Sequence, residues 1–187
     1  MKFYVLVFFT LMGFEIFAQS GAVIGVGASL GYTDNPVVMA DAGALSGWHI
    51  SVTARLGPNF WYLKPGLELH KMNLLSSSVF NPFAESNPAT YIVKAPVQIG
   101  ARVFKIGNLL FRASAGIGSN FIWSIEKNSL NLNHNTMRDL HFGALGGLGI
   151  DLGKFAIDFN FEKGFSELYK DTGYKVDYIT VTAGLFF

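Results

Sequence analysis

The sequence contains no cysteine and few charged residues, and each absence removes a class of function. Without cysteine there is no disulfide framework, no thiolate metal site and no N-terminal lipidation motif. Charged residues are 14% of the 187 residues, the formal net charge is +1, and no long basic run occurs. A nucleic-acid partner is therefore not expected, because nucleic-acid binding requires a basic patch.

Long hydrophobic runs are missing as well, except at the N-terminus. There Lys2 precedes an apolar run and Ala18 stands where a signal peptidase would cut, so we predict a secretory signal peptide over residues 1–18. An uncleaved helical anchor is the alternative, but the run contains Glu15 and is shorter than the about 20 residues that a bilayer span requires. No later run approaches that length, which excludes a helical membrane protein.

The rest of the chain alternates between apolar and polar residues with a period of two. In "KFAIDFNFEKG", for example, the phenylalanines lie on one face of a predicted strand, and Asp158, Asn160 and Glu162 lie on the other. Eight such segments follow one another, and most are about 10 to 14 residues long, which is enough for a tilted membrane crossing. They begin near residues 22, 46, 59, 91, 108, 138, 154 and 176.

The connections between these segments are alternately long and short. Short ones such as "GPN", "KIG" and "GK" are separated by long ones, including residues 72–88 and 122–136. This alternation is typical of an outer-membrane barrel whose short turns are periplasmic. The predicted fold class is therefore all-β: an eight-stranded antiparallel up-and-down transmembrane β-barrel over residues 19–187. We expect it in the outer membrane of a Gram-negative bacterium, with both termini periplasmic.

The face that points outward distinguishes two kinds of barrel. A soluble ligand-binding barrel, such as a lipocalin, would turn its apolar face inward. Here the polar face is rich in Gly, Ser and Thr, which suits a narrow lumen better than a water-exposed surface. The apolar face carries aromatics near the strand ends, including Trp48, Tyr91 and Phe155, where lipid headgroups would lie.

An eight-stranded barrel has an interior filled by side chains, and charges buried there must pair. Glu68 and Lys94 fall at similar heights on neighbouring predicted strands and are the leading candidate ion pair. The predicted luminal polar network also contains Arg102, Arg112, Asp158, Glu162 and His70. We expect this network to be structural, and a gated path or a ligand site is the alternative.

Two prolines interrupt otherwise regular predicted strands. Pro65 and Pro96 stand at similar heights in the third and fourth strands. Because proline has no amide donor and a closed barrel has no edge strand, we predict a local defect in the ladder between these two strands.

Motifs for catalysis, cofactors and metals are scarce. "GALGGLG" lacks the lysine-serine or lysine-threonine ending of a phosphate loop and lies within a predicted strand. The four histidines show no metal spacing, and His134 has no nearby carboxylate partner. His141 with Asp139 or Glu162 would be the candidate pair for an enzyme at the barrel rim, but Asp139 and His141 are both predicted to face the lumen. We expect no catalytic residue, no cofactor and no metal site.

Several segments of the chain resemble segments of a known family. They are "YLKPGLELHK", "IVKAPVQIG", the glycine-rich fifth and sixth strands, "FNFEKGFSEL" and the terminal "VTAGLFF". Over essentially the whole mature chain these segments resemble the PorT-like outer-membrane β-barrel family of Gram-negative bacteria. The resemblance implies a barrel whose final residue, Phe187, is recognised by the outer-membrane assembly machinery. One branch of the family is associated with a protein-secretion apparatus, but the family pattern does not fix the loops, so that role is not carried over.

The expected function is that of a structural or docking component of the cell envelope, with a link to protein secretion as one form of it. The segment 72–88 favours docking because it carries several apolar residues: Leu74, Leu75, Val79, Phe80 and Phe83. The same segment folded over its own barrel is the alternative. A rim enzyme or narrow gated conduit is the second function class, and a soluble ligand-binding barrel is the third. Expected partners are outer-membrane lipid and lipopolysaccharide, the assembly machinery and an envelope protein complex.

Overall fold

The computed structural model describes residues 21–33, 44–58, 60–73, 89–127, 133–168, 170 and 175–187. These residues form eight strands: β1 (Gly21–Thr33), β2 (Ala44–Arg55), β3 (Trp61–Asn73), β4 (Ala89–Ile106), β5 (Leu109–Ile125), β6 (Leu140–Leu152), β7 (Phe155–Gly164) and β8 (Val176–Phe186). The predicted signal peptide and the apolar residues of the segment 74–88 lie outside the described residues. No helix in the described part of the chain is long and apolar enough to cross a membrane.

The strands form one closed antiparallel sheet in chain order, with β8 paired to β1. The predicted eight-stranded up-and-down topology is therefore confirmed. The ladders are long: between β1 and β2, Gly21 faces Arg55 at one end and Tyr32 faces Ala44 at the other. Closure of this kind lets the strands satisfy their backbone donors and acceptors on each other, as a hydrocarbon environment demands.

Short and long connections alternate around the barrel as predicted. Two-residue turns join β4 to β5 at Gly107 and Asn108, and β6 to β7 at Gly153 and Lys154. Gly107 and Gly153 have φ of 56° and 60°, which tight hairpin turns require and glycine adopts without strain. These turns and the β2–β3 connection lie at one end of the barrel, called the turn end below. The longer connections lie at the opposite, loop end.

Along most of each strand, outward positions are apolar and inward positions are small or polar; near the loop end, inward residues such as Met72 and Ile92 are apolar. In β7, Phe155, Ile157 and Phe159 are exposed on the outer wall, whereas Asp158 and Glu162 are buried in the lumen. The predicted assignment of the two faces is thus confirmed. It is the reverse of the arrangement in soluble ligand-binding barrels, whose apolar residues line the interior.

Pro65 and Pro96 each interrupt one ladder of β3. The β3–β4 ladder skips Gly66 and Leu67, which lie opposite Pro96 and its neighbour, and resumes in the same register. The predicted defect between β3 and β4 is confirmed, and it is a lost ladder bond without a bulge. The β2–β3 ladder is also broken after Gly66, next to Pro65, and resumes in the same register at the Leu56–Leu63 bridge, so a second interruption exists that was not predicted.

Candidate functional site

The layer of luminal side chains nearest the turn end is charged, and we call it the turn-side cluster. It comprises three cations and two carboxylates: Arg55, Lys64, Arg112, Asp151 and Asp158. Lys64 Nζ and Arg112 Nη1 lie 2.9 and 3.0 Å from the same Oδ1 atom of Asp158. Arg55 Nη1 and Arg112 Nη2 each lie 2.8 Å from an oxygen of Asp151. Five strands are thereby tied together at one level of the barrel.

A neutral layer lies above the turn-side cluster. Gln98 Nε2 donates to Asn160 Oδ1 at 3.3 Å, and Ser114 Oγ donates to Gln98 Oε1 at 2.9 Å. Beside this layer is a cavity of about 20 Å³. That volume holds about one water molecule, so the lumen at this height is filled rather than open.

The next layer, called the loop-side cluster, has Glu68, Lys94 and Glu162 as its charged residues and contains a buried ion pair. Lys94 Nζ lies 2.6 Å from Glu162 Oε2, with side chains 5% and 4% exposed. Asn120 Nδ2 donates to the other oxygen of Glu162, and the Lys94 ammonium lies 3.7 Å from the ring centroid of Tyr178. Both charges therefore have close partners, which is the condition for tolerating them away from water.

A chain of hydrogen bonds adjoins this ion pair. His49 and His70 stack at 4.6 Å, and Ser29 Oγ lies 2.8 and 2.9 Å from their Nδ1 atoms. His70 Nε2 lies 2.7 Å from Glu68 Oε2, and His49 Nε2 lies 2.8 Å from Thr182 Oγ1. An ionised carboxylate only accepts, so His70 Nε2 donates to Glu68, and the Nδ1 of a neutral His70 ring accepts from Ser29. Ser29 then accepts from His49, whose Nε2 accepts from Thr182.

Ser29, His70 and Glu68 have the connectivity of a serine-histidine-carboxylate catalytic set, but they are enclosed. Ser29 and His70 have 0% exposed surface. A nucleophile must reach its substrate, and no substrate reaches a hydroxyl in this position. In this conformation the three residues pack and hydrogen-bond within the barrel interior.

An apolar plug closes the loop end of the lumen. Its members are almost fully buried: Met72, Ile92, Ile122, Met137, Leu168, Val176 and Tyr178. Met137 and Leu168 belong to the β5–β6 and β7–β8 connections, so described residues of two connections pack into the barrel mouth. The two connections are joined by a hydrogen bond from Arg138 N to Leu168 O at 2.7 Å.

Luminal glycines make room for the long charged side chains. A Cβ on Gly149 would lie 2.6 Å from Cζ of Arg112, and a Cβ on Gly143 would lie 2.5 Å from Cγ of Glu162. Real side chains do not approach so closely, so these positions accept only glycine while the charged groups keep their places. Gly143, Gly147 and Gly149 of "GALGGLG" therefore serve packing in the lumen, whereas Gly146 faces open space.

The structure places Glu68, Lys94, Arg112, Asp158 and Glu162 in the lumen, but the predicted pairing of Glu68 with Lys94 is wrong. The two residues do face each other in the β3–β4 register. Lys94 nevertheless pairs with Glu162 across the lumen, and Glu68 bonds to His70 on its own strand. The reason is geometric, because a lysine that points into a narrow barrel reaches the opposite wall as easily as the adjacent strand.

Sequence reasoning missed part of the turn-side cluster. Arg55 and Asp151 are charged residues on the polar faces of predicted strands, and that signal alone would have included them. Arg102, a predicted member, lies at the edge of this cluster, where Nη1 donates to the carbonyl oxygen of Pro58. The residues of the plug that come from connections carry no comparable signal.

Of the two histidines outside the stacked pair, His141 lies where it was predicted and His134 has a partner that was not predicted. His141 faces the lumen as predicted, with Nε2 3.0 Å from the hydroxyl of Tyr178. Asp139 does not face the lumen, because β6 begins only at Leu140. Its Oδ1 lies 2.6 Å from His134 Nδ1 in an exposed pair, so the prediction that His134 lacks a carboxylate partner is also wrong. Among the described residues there is no group of three side chains that could hold a metal ion.

Solved structures of outer-membrane proteins share this fold. The attachment invasion locus protein Ail of Yersinia pestis matches with a TM-score of 0.50 and 14% identity, covering 90% of this chain and 99% of that chain. Neisserial surface protein A matches with a TM-score of 0.51 and 8% identity, covering 90% of this chain and 99% of that chain. The outer membrane protein OprG from Pseudomonas aeruginosa matches with a TM-score of 0.51 and 10% identity, covering 91% of this chain and 96% of that chain. No protein-family model and no curated relative matches the chain. At such identities the likeness shows a common barrel fold alone.

Proposed function

We propose that the protein resides in the outer membrane of a Gram-negative bacterium, with its turn end and both termini in the periplasm. The support is a closed barrel whose outer wall is apolar and carries exposed aromatics toward both ends, such as Trp61 and Trp123. The orientation follows the general rule that the short turns of bacterial barrels are periplasmic.

The protein acts as a structural or docking component of the cell envelope and not as a pore. The observation that carries this proposal is the filled lumen, in which the apolar plug and the two charged clusters leave a cavity of only about 20 Å³ at the neutral layer. A barrel filled by its own side chains offers other molecules only its outer wall and its two ends.

The resemblance to PorT-like barrels supports a docking role, with protein secretion as one candidate process. The proposed partners are outer-membrane lipid, lipopolysaccharide, the outer-membrane assembly machinery and an envelope protein complex. The proposal assigns no catalytic role and no cofactor. His141 is buried against Tyr178 inside the barrel, a position that does not favour an enzyme at the barrel rim.

Location and orientation can be tested with single cysteines, since the chain has none of its own. Lys127→Cys at the loop end and Asn108→Cys in a short turn both replace exposed residues. A membrane-impermeant maleimide is expected to label Lys127→Cys in intact cells, and Asn108→Cys only after the outer membrane is permeabilised. The reverse pattern would contradict the orientation, and equal labelling of both in intact cells would contradict the location.

Docking can be tested by cross-linking in cells followed by affinity capture of the full-length protein. We expect one envelope protein to be recovered in near-stoichiometric amount. A test variant has the apolar residues of the segment 74–88 replaced by serine. It is expected to lose the captured envelope protein while still forming the barrel. Recovery of no envelope protein by the wild type would rule out docking and leave a structural role.

A further inference from the structure

A vestibule of about 530 Å³ opens at the turn end of the barrel. The charged residues of its lining are three cations and one carboxylate: Arg55, Arg102, Lys105 and Asp151. It is the entrance to the turn-side cluster, since Arg55 and Asp151 belong to both. Nothing in the proposed structural or docking role requires a cavity of this size and charge.

A β-bulge brings Lys105 into the vestibule. Strict alternation along β4 would place Lys105 on the outer wall together with Ala101 and Val103. The β4–β5 register shifts between Arg102 and Phe104. Val103 and Phe104 therefore both face outward, 52% and 50% exposed, and Lys105 turns inward. The extra residue in β4 therefore moves Lys105 from the outer wall, which faces lipid, into the vestibule.

Positive charge is in excess at this end of the lumen. The turn-side cluster has three cations against two carboxylates, and Arg102 and Lys105 add two more cations at the vestibule. The loop-side cluster has the opposite imbalance, with Lys94 against Glu68 and Glu162. The neutral layer of Gln98, Ser114 and Asn160 lies between the two clusters. Buried charge is costly unless it is compensated locally, so an anion in the vestibule would stabilise the turn end.

Arg55 lies where the vestibule meets the turn-side cluster. Its Nη1 is held by Asp151 at 2.8 Å, and the ring centroid of Phe186 lies 5.2 Å from its Cζ. In the described part of the chain its Nε has no hydrogen-bond partner, although the side chain is only 3% exposed. The guanidinium is therefore fixed in place and keeps hydrogen-bonding capacity that its protein neighbours do not use.

We propose that the vestibule binds a phosphate-bearing anion. Two guanidinium groups and one ammonium line the same space, and the planar fork of arginine matches phosphate oxygens while lysine contributes a point charge. The volume accommodates a phosphate with its substituent. Such a group is carried by a phospholipid headgroup of the adjacent leaflet or by a soluble periplasmic phosphate compound.

Calorimetric titration of the full-length barrel tests this site, with the protein folded in a maltoside detergent that contains no phosphate. The probes are inorganic phosphate and dihexanoyl phosphatidylglycerol, each at low ionic strength. We expect saturable binding of at least one probe, weakened about fivefold or more by Lys105→Gln and by Arg102→Gln. Lys127→Gln removes the same charge at the loop end and should leave the affinity unchanged. Binding of the lipid alone identifies a headgroup site, and binding of phosphate alone identifies a soluble ligand.

Failure of the wild type to bind either probe saturably would overturn the proposal. An unchanged affinity in Lys105→Gln, or an equal loss in Lys127→Gln, would overturn it as well. Heat-modifiable migration on a gel checks that each variant is folded. Lys105 is exposed at the mouth, so its variant provides the test even where Arg102→Gln disturbs the contact with Pro58.

Discussion

Replacing Lys94 by glutamine isolates the contribution of the buried ion pair in the loop-side cluster. Lys94 Nζ lies 2.6 Å from Glu162, and both side chains are buried. The neutral, shorter glutamine would leave Glu162 charged and buried with Asn120 as its remaining donor. Removing one partner of a buried pair costs about 3–5 kcal/mol, so we expect the free energy of unfolding to fall by about that amount.

The exposed pair of Lys163 and Asp177 provides a matched control. Its Nζ to Oδ2 distance is also 2.6 Å, but the Lys163 side chain is 62% exposed. Lys163→Gln is the same chemical change, and solvent screening reduces its expected cost to below about 1 kcal/mol. The double variant Lys94→Gln with Glu162→Gln should recover part of the loss, because no unpaired charge remains at the site.

Denaturant titration in lipid vesicles, followed by tryptophan fluorescence, measures these free energies. Two results would refute the reasoning. One is an equal loss for Lys94→Gln and Lys163→Gln, which would mean that burial does not set the energy of the pair. The other is a double variant whose loss equals the sum of its two single variants, which would mean that the two side chains are not coupled.

Four further substitutions test the packing and the ladders. Gly116→Ala is expected to cost about 1–3 kcal/mol because its Cβ would collide with the β4 backbone, whereas Gly146→Ala points into open space and should change stability by less than about 0.5 kcal/mol. Equal effects in denaturant titration would contradict the luminal packing. Pro65→Ala supplies an amide that would face Ala54 in the β2–β3 register, so we expect a gain of up to about 1 kcal/mol and slow hydrogen exchange at that amide. Fast exchange there would count against the register. Leu168→Ala removes a buried side chain of the plug and should cost about 2–4 kcal/mol, and a loss below about 0.5 kcal/mol would show that this connection does not seal the barrel.

The strands and their two faces could be predicted because they depend on local pattern. Alternation along β7, from Phe155 to Phe161, already separates outer wall from lumen, and tight turns at Gly107 and Gly153 require glycine. The alternation of short and long connections also allowed the topology to be predicted, since a meander with short turns at one end closes most simply into a barrel.

The pairing inside the lumen could not be predicted from the same pattern. Height along a strand brings Glu68 and Lys94 opposite each other, but it does not determine which wall a long side chain reaches. The inward orientation of Lys105 depends on one extra residue in β4, and a strict period-two pattern does not predict such a residue. Met137 and Leu168 come from connections, where no periodicity indicates burial.

A single-channel recording tests most directly whether the barrel is closed to solutes. The full-length protein is inserted into a planar lipid bilayer, and heat-modifiable migration of the same preparation verifies that it is folded. We predict no discrete conductance steps, because the apolar plug and the Lys94–Glu162 pair occupy the lumen. Regular conductance steps from the wild-type protein would contradict a filled barrel and with it the proposed structural or docking role.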